Sequence, residues 1–192
     1  MQDALRSHIE RKIPLTDEEF AATMPFFHVR KLKRRQFLLQ QGEVCRYESF
    51  VVGGCLKSYH TDERGDDHIL RFSVEDWWAG DLDSFLHHTP STISIEALEP
   101  VTLLVIDQPG LEQLYREVPK METFFRMLNE NALIATSRRV IADLSLPARE
   151  RYERFLTTYP QIAQRIPLKD IAAFLGITPV FLSRLRREQA GF

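Results

Sequence analysis

Between Lys169 and Arg187 the chain sets cationic and hydroxyl side chains at spacings that suit a nucleic-acid surface. If Pro179–Arg187 is helical, Val180, Ser183, Arg184 and Arg187 share an outer face at steps of three, four and seven. An Arg there can donate two hydrogen bonds to a guanine edge, while Thr178, Ser183, Arg186, Arg187 and Lys169 suit phosphates. Val180 cannot hydrogen-bond a base, but it can touch a thymine methyl. Phe181, Leu182 and Leu185 then point inward. Upstream, Ile171, Phe174 and Leu175 supply the inner face of a preceding helix, and small Ala172 lets two helices approach closely. Gly176 permits a left-handed turn, Thr178 can cap the second helix, and Pro179 occupies a first-turn position whose N–H would be unbonded anyway. The package predicts a helix-turn-helix with double-stranded DNA as partner. The competing reading is a solvated basic helix.

Other chemistry is harder to find. His60, His68, His87 and His88 raise the possibility of a cupin-like metal-dependent enzyme. However, His-x-His with a following Glu is absent, and adjacent His87 and His88 point apart, so no metal site is predicted. No Ser/His/Asp or paired-carboxylate spacing supplies a nucleophile or an acid–base pair, and no enzyme activity is expected. Of Trp77 and Trp78, adjacent at a strand end, at least one belongs in the core. Cys45 and Cys55, the two cysteines, are too few for a disulfide framework and fit a reducing compartment.

The elements that must position these residues fall into three textures. Residues 3 to about 30 read as helical, with Leu5, Ile9 and Ile13 in register and a Thr16/Glu19 capping box. Six short strands follow, at Gln36–Leu39, Glu48–Val52, Cys55–Thr61, His68–Ser73, Thr92–Ala97 and Thr102–Ile106, a spacing that suggests an antiparallel sandwich or barrel. A helical turn capped by Asp81 interrupts them. After a break at Gln108-Pro109-Gly110 the chain is helical, with a short helix at Leu111–Val118 and a long one from Lys120 to about Leu144. Met121, Phe124, Leu128, Asn131, Ala135 and Arg138 form a heptad-like seam along it, with Phe125, Leu128, Ala132 and Ala135 as the alternative; either predicts a homodimer, the competing reading being a helix packed on its own barrel. Leu146-Pro147 ends this helix, and another runs over Ala148–Tyr159.

Charge follows the same division. From Arg149 to Phe192 there are eight Lys and Arg against four Asp and Glu, while the rest carries 17 against 23. A basic tail on an acidic body points to two parts with different partners. With 44% hydrophobic and 27% charged residues the composition is that of a globular chain rather than a disordered one, and no apolar run approaches the roughly 20 residues of a membrane span. With no signal-like segment after Met1, a cytoplasmic protein free of membrane association is expected.

The sequence resembles the Crp/Fnr family of bacterial transcription regulators along essentially its whole length. The resemblance rests on Tyr-x-x-Phe-Val at 47–51, Gly54-Cys55-Leu56-Lys57-Ser58-Tyr59, Trp77-Trp78-Ala79-Gly80-Asp81-Leu82 and Leu175-Gly176-Ile177-Thr178-Pro179. It implies an α+β fold: an N-terminal antiparallel β-roll (jelly-roll) sensor domain over 1–118, a dimerisation helix over 119–146, and a winged-helix-like helix-turn-helix domain over 147–192. It also implies a homodimer on a palindromic operator, with RNA polymerase as a candidate further partner. The chain departs from the family in three places. Pro179 and Val180 replace an Arg-Glu pair, the usual wing hairpin is missing before Phe192, and Ser91 replaces the Arg that binds the cyclic phosphate. The corresponding effector pocket would comprise Gly80, Asp81, Leu82, Ser91, Thr92, Thr136 and Ser137. Without the guanidinium, cyclic AMP is not expected and no cofactor is predicted; the effector is unidentified, and a ligand-independent DNA-binding scaffold is the alternative.

Overall fold

The computed structural model describes residues 1–160 and 162–189. Two helices open the chain, α1 (Gln2–Glu10) and α2 (Asp17–Thr23). The capping box forms at the start of α2: the Glu19 N–H donates to Thr16 Oγ1 at 3.2 Å and the Thr16 N–H to Glu19 Oε2 at 2.8 Å.

Eight strands then build a roll: β1 (His28–Leu32), β2 (Phe37–Leu39), β3 (Tyr47–Gly53), β4 (Leu56–Thr61), β5 (Asp67–Ser73), β6 (Trp78–Ala79), β7 (Ser94–Ala97) and β8 (Val101–Asp107). One antiparallel sheet runs β1-β8-β3-β6 and the other β2-β7-β4-β5. The expectation of helix to about residue 30 is corrected at its end. His28–Leu32 is an edge strand paired with β8, and only Leu32 within it is buried. A single buried residue leaves almost no periodicity to read.

Between β6 and β7 lies α3 (Leu82–His87), capped as expected by Asp81. Gln108-Pro109-Gly110 is not a break but the first turn of α4 (Gln108–Glu117), because Asp107 caps it and proline is at home in a first turn. The remaining helices are α5 (Lys120–Ser145), α6 (Ala148–Thr158), α7 (Leu168–Phe174) and α8 (Pro179–Gln189). No strand follows α8 among the described residues.

The first sheet is covered from outside by α1 and the start of α5. Phe50, Trp78, Phe124 and Phe125 pack edge-on or tilted there, and His8 lies among them with its centroid 5.1 Å from Phe50. The Trp78 indole N–H donates to His8 Nε2 at 3.3 Å. This packing corrects the seam expected on α5. Met121 and Phe124 are wholly buried in their own roll, and Phe125 nearly so, so these aromatics are not available to a second chain. The apolar side chains that α5 leaves exposed lie further on, at Leu133, Ile134, Val140, Ile141 and Leu144.

The second sheet carries the C-terminal helices on its outer face. Cys55, Tyr59, Ile69 and Phe72 of the roll share one core with Tyr152, Phe155, Tyr159, Ile171, Leu175 and Leu182. The two halves of the chain therefore bury apolar surface against each other.

Candidate nucleic-acid interface and sensor cavity

Local sequence accounts for the shape of the α7–α8 unit. Gly176 takes φ 63°, the left-handed turn that a side chain would strain. The Phe181 N–H donates to Thr178 Oγ1 at 3.2 Å, capping α8, and Pro179 sits in its first turn. Ile171, Ala172, Leu175, Leu182 and Leu185 are buried. Lys169, Thr178, Val180, Arg184, Arg186 and Arg187 are exposed and Ser183 is half-buried, so the outer face predicted for α8 is the one that meets solvent.

The cations on that face differ in what holds them. Arg184 lies 4.8 Å from the Phe181 ring centroid and 3.9 Å from Glu188, which also receives Arg149. That pairing leaves Arg184 pre-positioned over its own helix. Arg186 and Arg187 make no side-chain hydrogen bond or ion pair with any described residue, so both guanidinium groups are free to meet an anion.

The unit is fixed to the sensor by charges that sequence periodicity does not reveal. Lys57 of β4, only 8% exposed, lies 3.3 Å from Glu96, 3.9 Å from Asp170 at the start of α7, and 4.0 Å from Asp67. Its ammonium also sits over the Tyr59 ring at 4.5 Å. Burial pushes the Asp170 carboxyl up, and Lys57 and Lys169 pull it back. At the rim, Arg165 bonds Glu99 and, at 2.9 Å, Glu75. Arg139 of α5 donates to the carbonyl oxygens of Ile69 and Phe174, tying three elements together. A lone lysine in a mostly buried strand was the available signal for Lys57; Asp170, 113 positions away, gave none.

In the sensor, Gly80, Asp81, Leu82, Ser91 and Thr92 gather at the ends of β6 and α3 and the start of β7. Ser91 Oγ donates to Asp81 Oδ2 at 2.6 Å, while Asp81 Oδ1 accepts from the Ser84 N–H at 3.4 Å. The two groups expected to face an effector therefore satisfy each other. Thr136 and Ser137 are not part of this cluster. Both are exposed on α5, and the Thr136 hydroxyl donates to the Ala132 carbonyl.

Behind Gly80 stands Glu48. A Cβ at Gly80 would come within 2.8 Å of its carboxylate, so a larger residue there would push the Glu48 side chain aside. Burial pushes the Glu48 carboxyl up to about 7, partly opposed by Arg71, which itself donates to the Gly80 carbonyl at 2.7 Å. Neighbouring Arg30, Leu38, Leu39, Val44, Arg46, Tyr47 and Ile95 line an open cavity of about 430 Å3.

Three of the four histidines weighed as metal ligands bond elsewhere: His60 binds the Thr92 carbonyl oxygen, His68 pairs with Asp62 and His87 with Asp83, while His88 is exposed after α3. No group of three or more His, Cys, Asp or Glu placed to hold a metal ion occurs among the described residues. Trp78 is core, and Trp77 stacks on Tyr159 with centroids 5.5 Å apart. No helix among the described residues is long and apolar enough to cross a membrane.

Residues 29–118 match the model of the cyclic nucleotide-binding domain family. The whole fold resembles FixK2 from Bradyrhizobium japonicum, with a TM-score of 0.74 at 16% identity over 86% of this chain and 85% of that one. It equally resembles the c-di-GMP responsive global regulator CLP of Xanthomonas campestris, with a TM-score of 0.74 at 14% identity over 92% of each chain. The catabolite activator protein of Thermus thermophilus follows, at 0.61 and 18% identity over 96% of this chain and 87% of that one. No curated protein matches the chain. The resemblance to Crp/Fnr regulators drawn from the sequence thus extends to the fold, roll, long helix and C-terminal helices alike.

Proposed function

We propose that this chain is a transcription regulator of the Crp/Fnr type, and not an enzyme, that binds a palindromic operator as a homodimer. The observation that carries the reading is the outer face of α8. In a fold shared with regulators, a capped helix presents Val180, Ser183 and Arg184 beside two arginines, Arg186 and Arg187, that pair with no described residue. Arg184 reads a base edge; Arg186, Arg187, Lys169 and Thr178 hold phosphates.

Dimerisation follows from α5. Leu133, Ser137, Val140 and Leu144 recur at steps of four, three and four, and Ile134 and Ile141 flank them. These side chains gain burial only against another surface, and a second copy of the same helix supplies a self-complementary one. Two recognition helices related by a two-fold axis then require half-sites about one helical turn, roughly 34 Å, apart.

Selection of bound duplexes from a random DNA pool tests the reading. A symmetric motif with half-sites at that spacing is expected, and its affinity should fall steeply with salt. Recovery of no motif, with binding insensitive to salt, would exclude it.

A further inference from the structure

The cavity at the mouth of the roll holds two arginines without partners among the described residues. Arg30 of β1 and Arg46, just before β3, both line it, and neither side chain bonds any described residue. The other wall is aliphatic: Leu38 and Leu39 of β2 and Ile95 of β7. The space therefore opens between the two sheets, cationic on one side and apolar on the other. One carboxylate also lines it, Glu43, whose Oε2 already accepts from the Gln40 N–H at 3.1 Å. The lining carries one positive charge in excess. Arg30 is half-buried facing an apolar wall with no counterion among the described residues, and Arg46 stands exposed at the rim; the partly desolvated charge favours an anionic guest.

A second observation points into the same roll. The hydroxyls of Ser49 and Ser58 are buried and bond nothing. Ser49 alternates with Phe50, which packs outside against His8, and Ser58 alternates with Lys57, which faces Asp170. Both serines therefore face between the sheets. The interior retains an unmet polar demand beyond its apolar lining.

We propose that the mouth of the roll binds a small amphiphilic monocarboxylate, its carboxylate on Arg30 and Arg46 and its apolar body on Leu38, Leu39 and Ile95. The volume of about 430 Å3 falls within the range of roughly 300–1,000 Å3 common to ligand pockets. An arginine pair suits the planar carboxylate, which accepts two parallel N–H bonds from a guanidinium. Gly80 and Cys45 also line this site, so it adjoins Asp81, but the Asp81 carboxylate is already bonded to Ser91 and the anion is left to the two arginines. The proposal rests on the regulator reading only in treating this ligand as the effector.

Calorimetry on the full chain with octanoate as probe tests it, with 1-octanol and cyclic AMP as separate arms. Octanoate should bind saturably, one per protomer, and at least tenfold more tightly than either of the others. Arg30→Gln and Arg46→Gln should each weaken it at least fivefold, while Arg34→Gln, on the exposed turn outside the cavity, should leave it unchanged. Absent octanoate binding, equal binding of octanol, tighter binding of cyclic AMP, or indifference to both cavity variants would overturn the site. DNA binding by the same samples separates the two claims. Octanoate bound without any DNA binding overturns the regulator and keeps the site, and DNA bound without octanoate overturns the site alone.

Discussion

His8 is held neutral inside the aromatic cluster, and the physics of that position fixes how stability varies with pH. Burial lowers its pKa from 6.5 to about 4, helped by Lys12 and Arg11 and opposed by Asp76. In the unfolded chain the same imidazole takes up a proton near 6.5. Its contribution is therefore present above that pH and drains away as pH falls toward 4. The difference amounts to about 3 kcal/mol. Urea titrations at pH 7 and pH 4 should show His8→Gln, which keeps an acceptor for the Trp78 indole, losing far less stability over that interval than the natural chain. Equal losses would remove His8 as the cause. At Asp81 and Ser91 the mutual hydrogen bond predicts that cyclic AMP and cyclic GMP bind more weakly than micromolar by calorimetry; micromolar or tighter binding would show that the pair opens. Capping at Thr16, Asp81 and Thr178 was legible in the sequence because a cap is decided within four residues. His8 was not, since its surroundings come from β3, β6 and α5.

Among the elements, α5 serves two surfaces. Its first turns carry Phe124 and Phe125 into the roll, while its later turns leave Leu133, Val140 and Leu144 in solvent. Heptad spacing alone could not separate these uses, because buried and exposed apolar side chains share one period. The distinction needs Trp78, 46 residues before Phe124, which supplies the aromatic surface that captures the first half. If the proposed dimer forms through this face, Leu133→Glu with Val140→Glu should convert it to a monomer by light scattering with helicity retained, since both side chains are exposed in the protomer. A persistent dimer would move the interface elsewhere. The junction between α7 and β4 makes a second demand. Removing the Lys57 ammonium strands Glu96 and Asp170 without a countercharge, so Lys57→Met should cost about 3–5 kcal/mol in urea unfolding. Asp170→Asn leaves Lys57 paired with Glu96 and should cost less. The reverse order would mean that the contact with Glu96 matters little.

At the scale of the whole molecule, the roll and the helix-turn-helix share a core, clamped by Lys57–Asp170 and by Arg165 with Glu75 and Glu99. Val180, Arg184, Arg186 and Arg187 of α8 are exposed, and on the proposed reading this is the face that meets DNA. The order of textures, helical, then β-rich, then helical, was readable from periodicity and turn residues, and so was the helix-turn-helix. The packing of one half on the other was not, because residues more than 100 positions apart decide it. Central to the account is the division of labour on α8. The proposed function gives Arg184 the sequence discrimination and Arg187 the phosphate charge, and selection from random DNA at two salt concentrations separates them. Arg184→Ala should cost about 1–3 kcal/mol per half-site and blur the preference at one base pair. Arg187→Ala should keep the motif, weaken all sequences alike, and flatten the salt dependence by about one unit of slope. An unchanged motif in Arg184→Ala together with an altered one in Arg187→Ala would contradict the account.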